Sequence, residues 1–186
     1  MLLWEDAMSK SYYKCRIHYI LGREYQKEGI TDKALKHFQT VITSTAWCSD
    51  DDLVNSRIGI GLIYASLGLF EAAIDEYLIA LRIDPNSASV LNDLGNAFDN
   101  KGVSDTAISY YQKAISLNPN YADAHYNIGV ALERKGSLDE AVEHYKIALE
   151  IKPAFTSARS KLNAVYENNR EYYARRQKLP PRAATY

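Results

Sequence analysis

Cysteine is nearly absent from this chain of 186 residues: there are two, Cys15 and Cys48, and no CxxC pair. Two thiols cannot build the multi-bridge framework of a small secreted domain, and a zinc site would need further His or Cys partners at ligand spacing. They read as free thiols in a reducing compartment. Long apolar runs are missing too, since nothing approaches the ~20 residues of a membrane span. At the N-terminus Met1-Leu2-Leu3-Trp4 is cut short by Glu5-Asp6, before signal-peptide length. A cytoplasmic protein without a membrane span is the expectation. Charge of one sign is also lacking: Lys+Arg number 22 and Asp+Glu 23, for a net −1. That balance gives no electrostatic reason to expect nucleic acid or an anionic membrane along the whole surface. There is no GxSxG, P-loop, HExxH or glycine-rich phosphate turn. Phenylalanine (4) and tryptophan (2) are scarce, whereas tyrosine numbers 15.

What is present is a period. Pro85, Pro119 and Pro153 are spaced by 34, as are Gly61, Gly95 and Gly129, and Gly68, Gly102 and Gly136. Ala73, Ala107 and Ala141 keep the spacing, then Tyr77, Tyr111 and Tyr145, then Ala80, Ala114 and Ala148. An upstream copy carries Gly22, Gly29, Ala34, Phe38 and Val41, displaced by 39, so five residues are inserted near Ser49–Leu53. A fixed period of this length is the signature of a repeat array.

Each copy has the signals of two helices. In the third, Val90, Leu91, Leu94, Ala97 and Phe98 recur with a period near 3.6. Gly102 closes that helix and Ser104 is positioned to cap the next, whose apolar face is Ala107, Ile108, Tyr111, Ala114, Ile115 and Leu117. Asn118-Pro119-Asn120 stops it, because proline cannot continue the hydrogen-bond ladder. A Leu-Gly or Ile-Gly pair recurs at Leu21-Gly22, Ile60-Gly61, Leu94-Gly95 and Ile128-Gly129. Mid-helix glycine costs about 1 kcal/mol relative to alanine, so its recurrence implies a close approach that a side chain would block.

These columns resemble the tetratricopeptide repeat family. In the best copy the family pattern stands as Tyr126, Ile128-Gly129, Leu132, Ala141, Tyr145, Ala148 and Pro153. The family's tryptophan position instead holds His18, Arg57, Leu91 and His125, and the first copy has Ala46 where the closing proline belongs. The resemblance implies an all-α fold: a right-handed α-solenoid of about four helix pairs with a concave groove, plus a C-terminal capping helix. The expected organisation is an N-terminal extension over 1–14 (a short helix or frayed), then four repeats within 15–153. Their boundaries are 15–48, 54–87, 88–121 and 122–155, with the insertion at 49–53, followed by a capping helix over 156–177 and a flexible basic tail over 178–186. Residues 1–158 carry 15 basic and 21 acidic side chains, residues 159–186 carry 7 and 2.

The chemistry-bearing residues do not converge. His18 and His125 share one column, His37 and His144 another, so they recur along the array rather than meet at one centre. Asp75-Glu76 and Asp139-Glu140 lie at or near second-helix starts, where the helix dipole favours acid. Three consecutive Asp at 50–52 lack the alternating ligands and glycine of a calcium loop, and one of them is expected to cap the helix near Leu53. No catalytic residue, metal or cofactor is expected.

In tetratricopeptide arrays the first helix of each pair lines the groove. By period, the outward residues here are Arg16, Tyr19 and Arg23; Asn55, Ile58 and Leu62; Asn92, Asp93, Asn96 and Asp99; and Asp123, Tyr126 and Asn127. They grade from basic-aromatic through apolar to amide and acidic. That gradient points to another protein, bound through an extended segment whose backbone the Asn side chains pair with. The family's carboxylate clamp for acidic chaperone tails is missing, since its positions read Tyr19, Arg23, Gly59, Ser89 and Asp93. Alternatives left open are a substrate-recruiting or regulatory domain of a larger enzyme, a nucleic-acid-associated protein using the basic C-terminal helix, and self-association through repeat surfaces.

Overall fold

The computed structural model describes residues 2–44, 48–170 and 173–174, with side chains from residue 13 onward. Among the described residues every regular element is a helix. In order these are α1 (Leu2–Lys27), α2 (Thr31–Thr43), α3 (Asp50–Ser66), α4 (Phe70–Ile83), α5 (Ala88–Asn100), α6 (Ser104–Leu117), α7 (Ala122–Arg134), α8 (Leu138–Ile151) and α9 (Thr156–Asn168). They form two compact bodies, residues 1–119 and 120–186. In the first, α1/α2, α3/α4 and α5/α6 are hairpins, α2 packs on α3, α4 packs on α5, and α1 also touches α3. In the second, α7/α8 is a hairpin and α9 packs on α8.

The recurring glycines do two separate jobs. Gly102 has φ of 83°, a left-handed conformation that an L side chain rarely adopts, and Val103 N–H donates to Phe98 O at 2.9 Å across it. That bond satisfies an orphan carbonyl and reverses the chain within a residue or two. Gly29, Gly68 and Gly136 repeat the conformation. The mid-helix glycines instead make room for a ring. A Cβ on Gly95 would lie 2.4 Å from Tyr111 Cε1, and the corresponding pairs are Gly61 with Tyr77 and Gly129 with Tyr145. In the first hairpin Phe38 takes the ring position and lies against Gly22 and Gly59. Ala34, Ala73, Ala107 and Ala141 are fully buried beside these rings. The close approach implied by the sequence is thus a first-helix backbone against a second-helix ring.

Several sequence expectations change. Cys15 and Cys48 are not free thiols: they form a disulfide, with Cα atoms 5.5 Å apart across a separation of 33 residues. The antiparallel α1/α2 hairpin returns the chain to the flank of α1, which places Cys48 beside Cys15. The N-terminal extension is not a separate element, because α1 runs unbroken from Leu2 to Lys27. The inserted Asp run is the first turn of α3 rather than its cap. Ser49 is the cap, its side chain accepting from Asp52 N–H at 3.1 Å, and three carboxylates in the first turn complement the helix dipole. Ser104 does not cap α6; Val103 holds that position, and the Ser104 hydroxyl donates to Asp99 Oδ1 at 3.1 Å. The last helix, α9, runs from Thr156 to Asn168, and helical backbone recurs at 170 and 173–174, with 171–172 and 175–177 outside the described residues. Ala46 and the segment 178–186 lie outside the described residues.

Candidate partner-binding face

In the body of residues 1–119, α1 and α3 lie side by side, and α5 reaches α3. Each is the first helix of its hairpin. At α1 the ring of Tyr19 lies under two guanidinium groups, Arg16 at 5.3 Å and Arg23 at 5.7 Å from its centroid. Tyr19 is buried against Phe38 and not presented to solvent, a correction to its expected exposure. Arg16 donates to Asp52 Oδ1 at 2.6 Å, and that carboxylate is fully buried at the start of α3. Arg23 is exposed.

On α3, Leu62 is exposed and Ile58 and Asn55 are half-buried. Gln26 Nε2 donates to Gly59 O at 3.4 Å, which ties α1 to α3 beside these side chains. A hollow of about 340 Å³ opens next to Asn55 and Ile58, bordered by Asp50, Asp51, Asp84 and Ser89. On α5, Asp93 is half-buried, and burial pushes its carboxyl up to about 6, with the hydrogen bond from the Asn92 side chain opposing that shift. Asn96 Oδ1 accepts from the Tyr111 hydroxyl at 2.9 Å, so its amide is fixed in orientation. Asn92 and Asp99, read as outward-facing, are buried. Asn92 supports Asp93, and Asp99 holds the α5–α6 turn through Ser104, so both act from beneath the face.

The body of residues 120–186 carries its own first-helix face on α7. Asp123 is exposed, Asn127 is half-buried, and the Tyr126 ring stands between Tyr145 at 5.9 Å and Phe155 at 5.1 Å. Glu133 accepts from the Tyr145 hydroxyl at 2.7 Å and from Lys161 Nζ at 3.3 Å. Burial and this carboxylate raise the Tyr145 hydroxyl well above its usual range, so it stays a donor. Arg175 and Arg176, the basic residues read as a nucleic-acid alternative, lie outside the described residues.

Sequence reasoning missed the histidine pairs. His18 Nδ1 lies 2.8 Å from His37 Nδ1, and His125 Nδ1 lies 3.2 Å from His144 Nδ1. The signal was a spacing of 19 in both hairpins, and the second hairpin has it as well: Arg57 donates to Glu76 Oε2 at 2.7 Å across the same separation. Burial and the partner ring lower the pKa of His18, and the same two causes lower that of His144. Among the described residues no group of three or more His, Cys, Asp or Glu side chains forms a metal site. No helix among them is long and apolar enough to cross a membrane.

Comparison with known proteins agrees with this geometry. A family model described as tetratricopeptide repeat matches residues 92–154, and a second, described as TPR repeat, matches 61–102. No curated protein sequence matches. Two crystal structures of MamA are similar, at 28% identity over 83% of this chain and 81% of that one (TM-score 0.68), and at 30% over 80% and 84% (TM-score 0.67). The first TPR of Spaghetti (RPAP3), bound to an HSP90 peptide, is similar in fold at 24% identity, covering 62% of this chain and 91% of that one, with TM-score 0.59.

Proposed function

The chain belongs to the tetratricopeptide repeat family, a family of protein–protein interaction modules, and from that premise we propose that it is a non-catalytic adaptor whose first-helix face over α1, α3 and α5 binds an extended segment of a partner protein. The observation that carries the reading is the order of side chains across that face. Arg23 is an exposed cation on α1, Ile58 and Leu62 form an apolar step on α3, and Asp93 with Asn96 supplies a carboxylate and a fixed amide on α5. Packed helices lie about 10 Å apart, and an extended chain advances about 3.3 Å per residue, so roughly three residues separate one helix from the next. The fitting ligand therefore carries an acidic residue, an apolar residue and a basic residue at intervals of about three.

This ligand differs from an acidic chaperone tail. The clamp positions contain a buried tyrosine and a carboxylate, and Asp93 repels the charge such a tail brings. The Cys15–Cys48 bridge favours an oxidising compartment, where disulfides persist, over the cytoplasmic setting that free thiols had suggested.

Isothermal titration with a peptide of the form acidic-x-x-Leu-x-x-Lys, and with its charge-reversed counterpart, tests the reading. The parent protein should prefer the first peptide. The double variant Arg23→Glu/Asp93→Lys should prefer the second, by about tenfold if each reversed contact is worth under 1 kcal/mol. Equal binding of both peptides by both proteins refutes the face, and recovery of no protein partner by cross-linking in the native source refutes the function.

A further inference from the structure

The exposed side of α1 does not match the corresponding sides of the other first helices. In the repeat frame Leu21 corresponds to Ile60 and Leu94, and Ile17 to Ser56 and Val90. Those four are 0–1% exposed, and Ile60 and Leu94 pack in cores with the preceding second helix, α2 and α4 respectively. On α1 the same positions are open: Ile17 is 55% and Leu21 37% exposed, with Tyr13 and Ile20 exposed beside them. At 3.6 residues per turn Tyr13, Lys14, Ile17, Ile20, Leu21 and Glu24 share one side of the helix, opposite the buried Cys15, Tyr19 and Gly22. Residues 2–12 continue the same helix.

The charges on this side select its occupant. Glu24 occupies the position of Ile63 and Ala97, both buried in the apolar cores. Glu24 holds Lys27 Nζ at 2.7 Å as an exposed pair on its own helix, and an apolar second helix like α2 or α4 would strip water from that pair without replacing it. A fitting occupant sets a further cation beside the Glu24–Lys27 pair and an anion at Lys14 while covering Ile17 and Leu21. A second α1 laid antiparallel does all three. Centred near residue 19, it sets Ile17 against Leu21 and Lys14 against Glu24, each pairing occurring twice by symmetry. We infer that this chain forms a homodimer through antiparallel α1 helices, with Ile17 and Leu21 as the apolar seam and Lys14–Glu24 pairs setting the register. This surface lies on the opposite side of α1 from Tyr19 and is independent of the peptide-binding reading.

Light scattering on the full chain during size exclusion, with sedimentation to obtain the dimer Kd, tests the inference. The parent should elute as a dimer. Ile17→Glu changes an exposed residue and should give a monomer with an unchanged helical circular-dichroism spectrum. Lys14→Glu and Glu24→Lys should each weaken the dimer several-fold, up to about tenfold for two exposed pairs. The double swap Lys14→Glu/Glu24→Lys should restore the parent Kd, a rescue that only the antiparallel register produces. A monomeric parent at high micromolar concentration, a dimer that survives Ile17→Glu, or a double swap no tighter than either single change each overturns the inference.

Discussion

Replacing Gly95 by alanine probes the joint that recurs in every hairpin. The added Cβ would meet Tyr111 at 2.4 Å from Cε1, 2.6 Å from Cδ1 and 2.9 Å from Cζ, where ordinary contact begins at 3.4 Å. The ring must therefore retreat by about 1 Å. It has no easy route, since Tyr111 is fully buried and its hydroxyl is tied to Asn96 Oδ1 at 2.9 Å. Overpacking of this kind costs about 1–3 kcal/mol and loss of the hydroxyl bond about 1 kcal/mol. Against these stands a gain of about 1 kcal/mol from the better helix propensity of alanine. The net is a destabilisation of about 1–3 kcal/mol. Tyr111→Leu alone should also destabilise, by leaving a cavity under the glycine. The two changes together should cost less than their sum, because the new methyl enters the space the ring left, with a coupling of about 1–2 kcal/mol. Urea unfolding of the parent, both single variants and the double variant measures that term. Gly102→Ala is the control: its cost arises from a φ of 83° with nothing within 4 Å, so it should not couple to Tyr111. Additivity of Gly95→Ala and Tyr111→Leu within about 0.5 kcal/mol refutes the ring-over-glycine account.

Two further outcomes follow from side chains outside the peptide face. The folded state lowers the pKa of His18 and His144 from 6.5, so the unfolded chain binds more protons; the stabilisation is complete above 6.5 and is lost as pH falls below it. Urea melts at pH 7.5 and 5.5 should show this loss, and His18→Arg/His37→Glu, copying Arg57–Glu76, should remove the contribution of His18. Removing the disulfide with Cys15→Ser/Cys48→Ser frees a loop of 33 residues, for which chain entropy gives a loss of up to about 4 kcal/mol; an unfolding midpoint equal to the parent's under oxidising conditions would contradict a structural bridge.

The hairpins were legible because glycine, alanine, aromatic residue and proline recur at one spacing and each has a single packing use. Gly95 and Tyr111 are an instance: sixteen positions apart, neither explains the other until the period shows that they travel together. What the period hides is variation within a column. His18–His37, Arg57–Glu76 and the Leu91 and Tyr110 positions occupy one joint with three chemistries, so column-by-column reading made the histidines look scattered. The face was legible only as a set of columns. Tyr19 and Asn92 are in the expected places, yet each is buried, Tyr19 under two guanidinium groups and against Phe38, Asn92 beside Asp93. Cys15 and Cys48 fall outside the repeat pattern altogether, so their meeting follows only from the path of the chain between α2 and α3.

That bridge also decides how the molecule carries load. Repeat arrays transmit force from neighbour to neighbour, and an end hairpin held by packing alone peels off first. Here a pull on the chain upstream of Cys15 passes through the covalent bond to Cys48, two residues before α3 begins. The stretch between the cysteines, with the C-terminal part of α1 and all of α2, is bypassed. The first hairpin then rides as a shielded loop while tension enters at the second repeat, and reduction of one bond shifts the point of yield to the first.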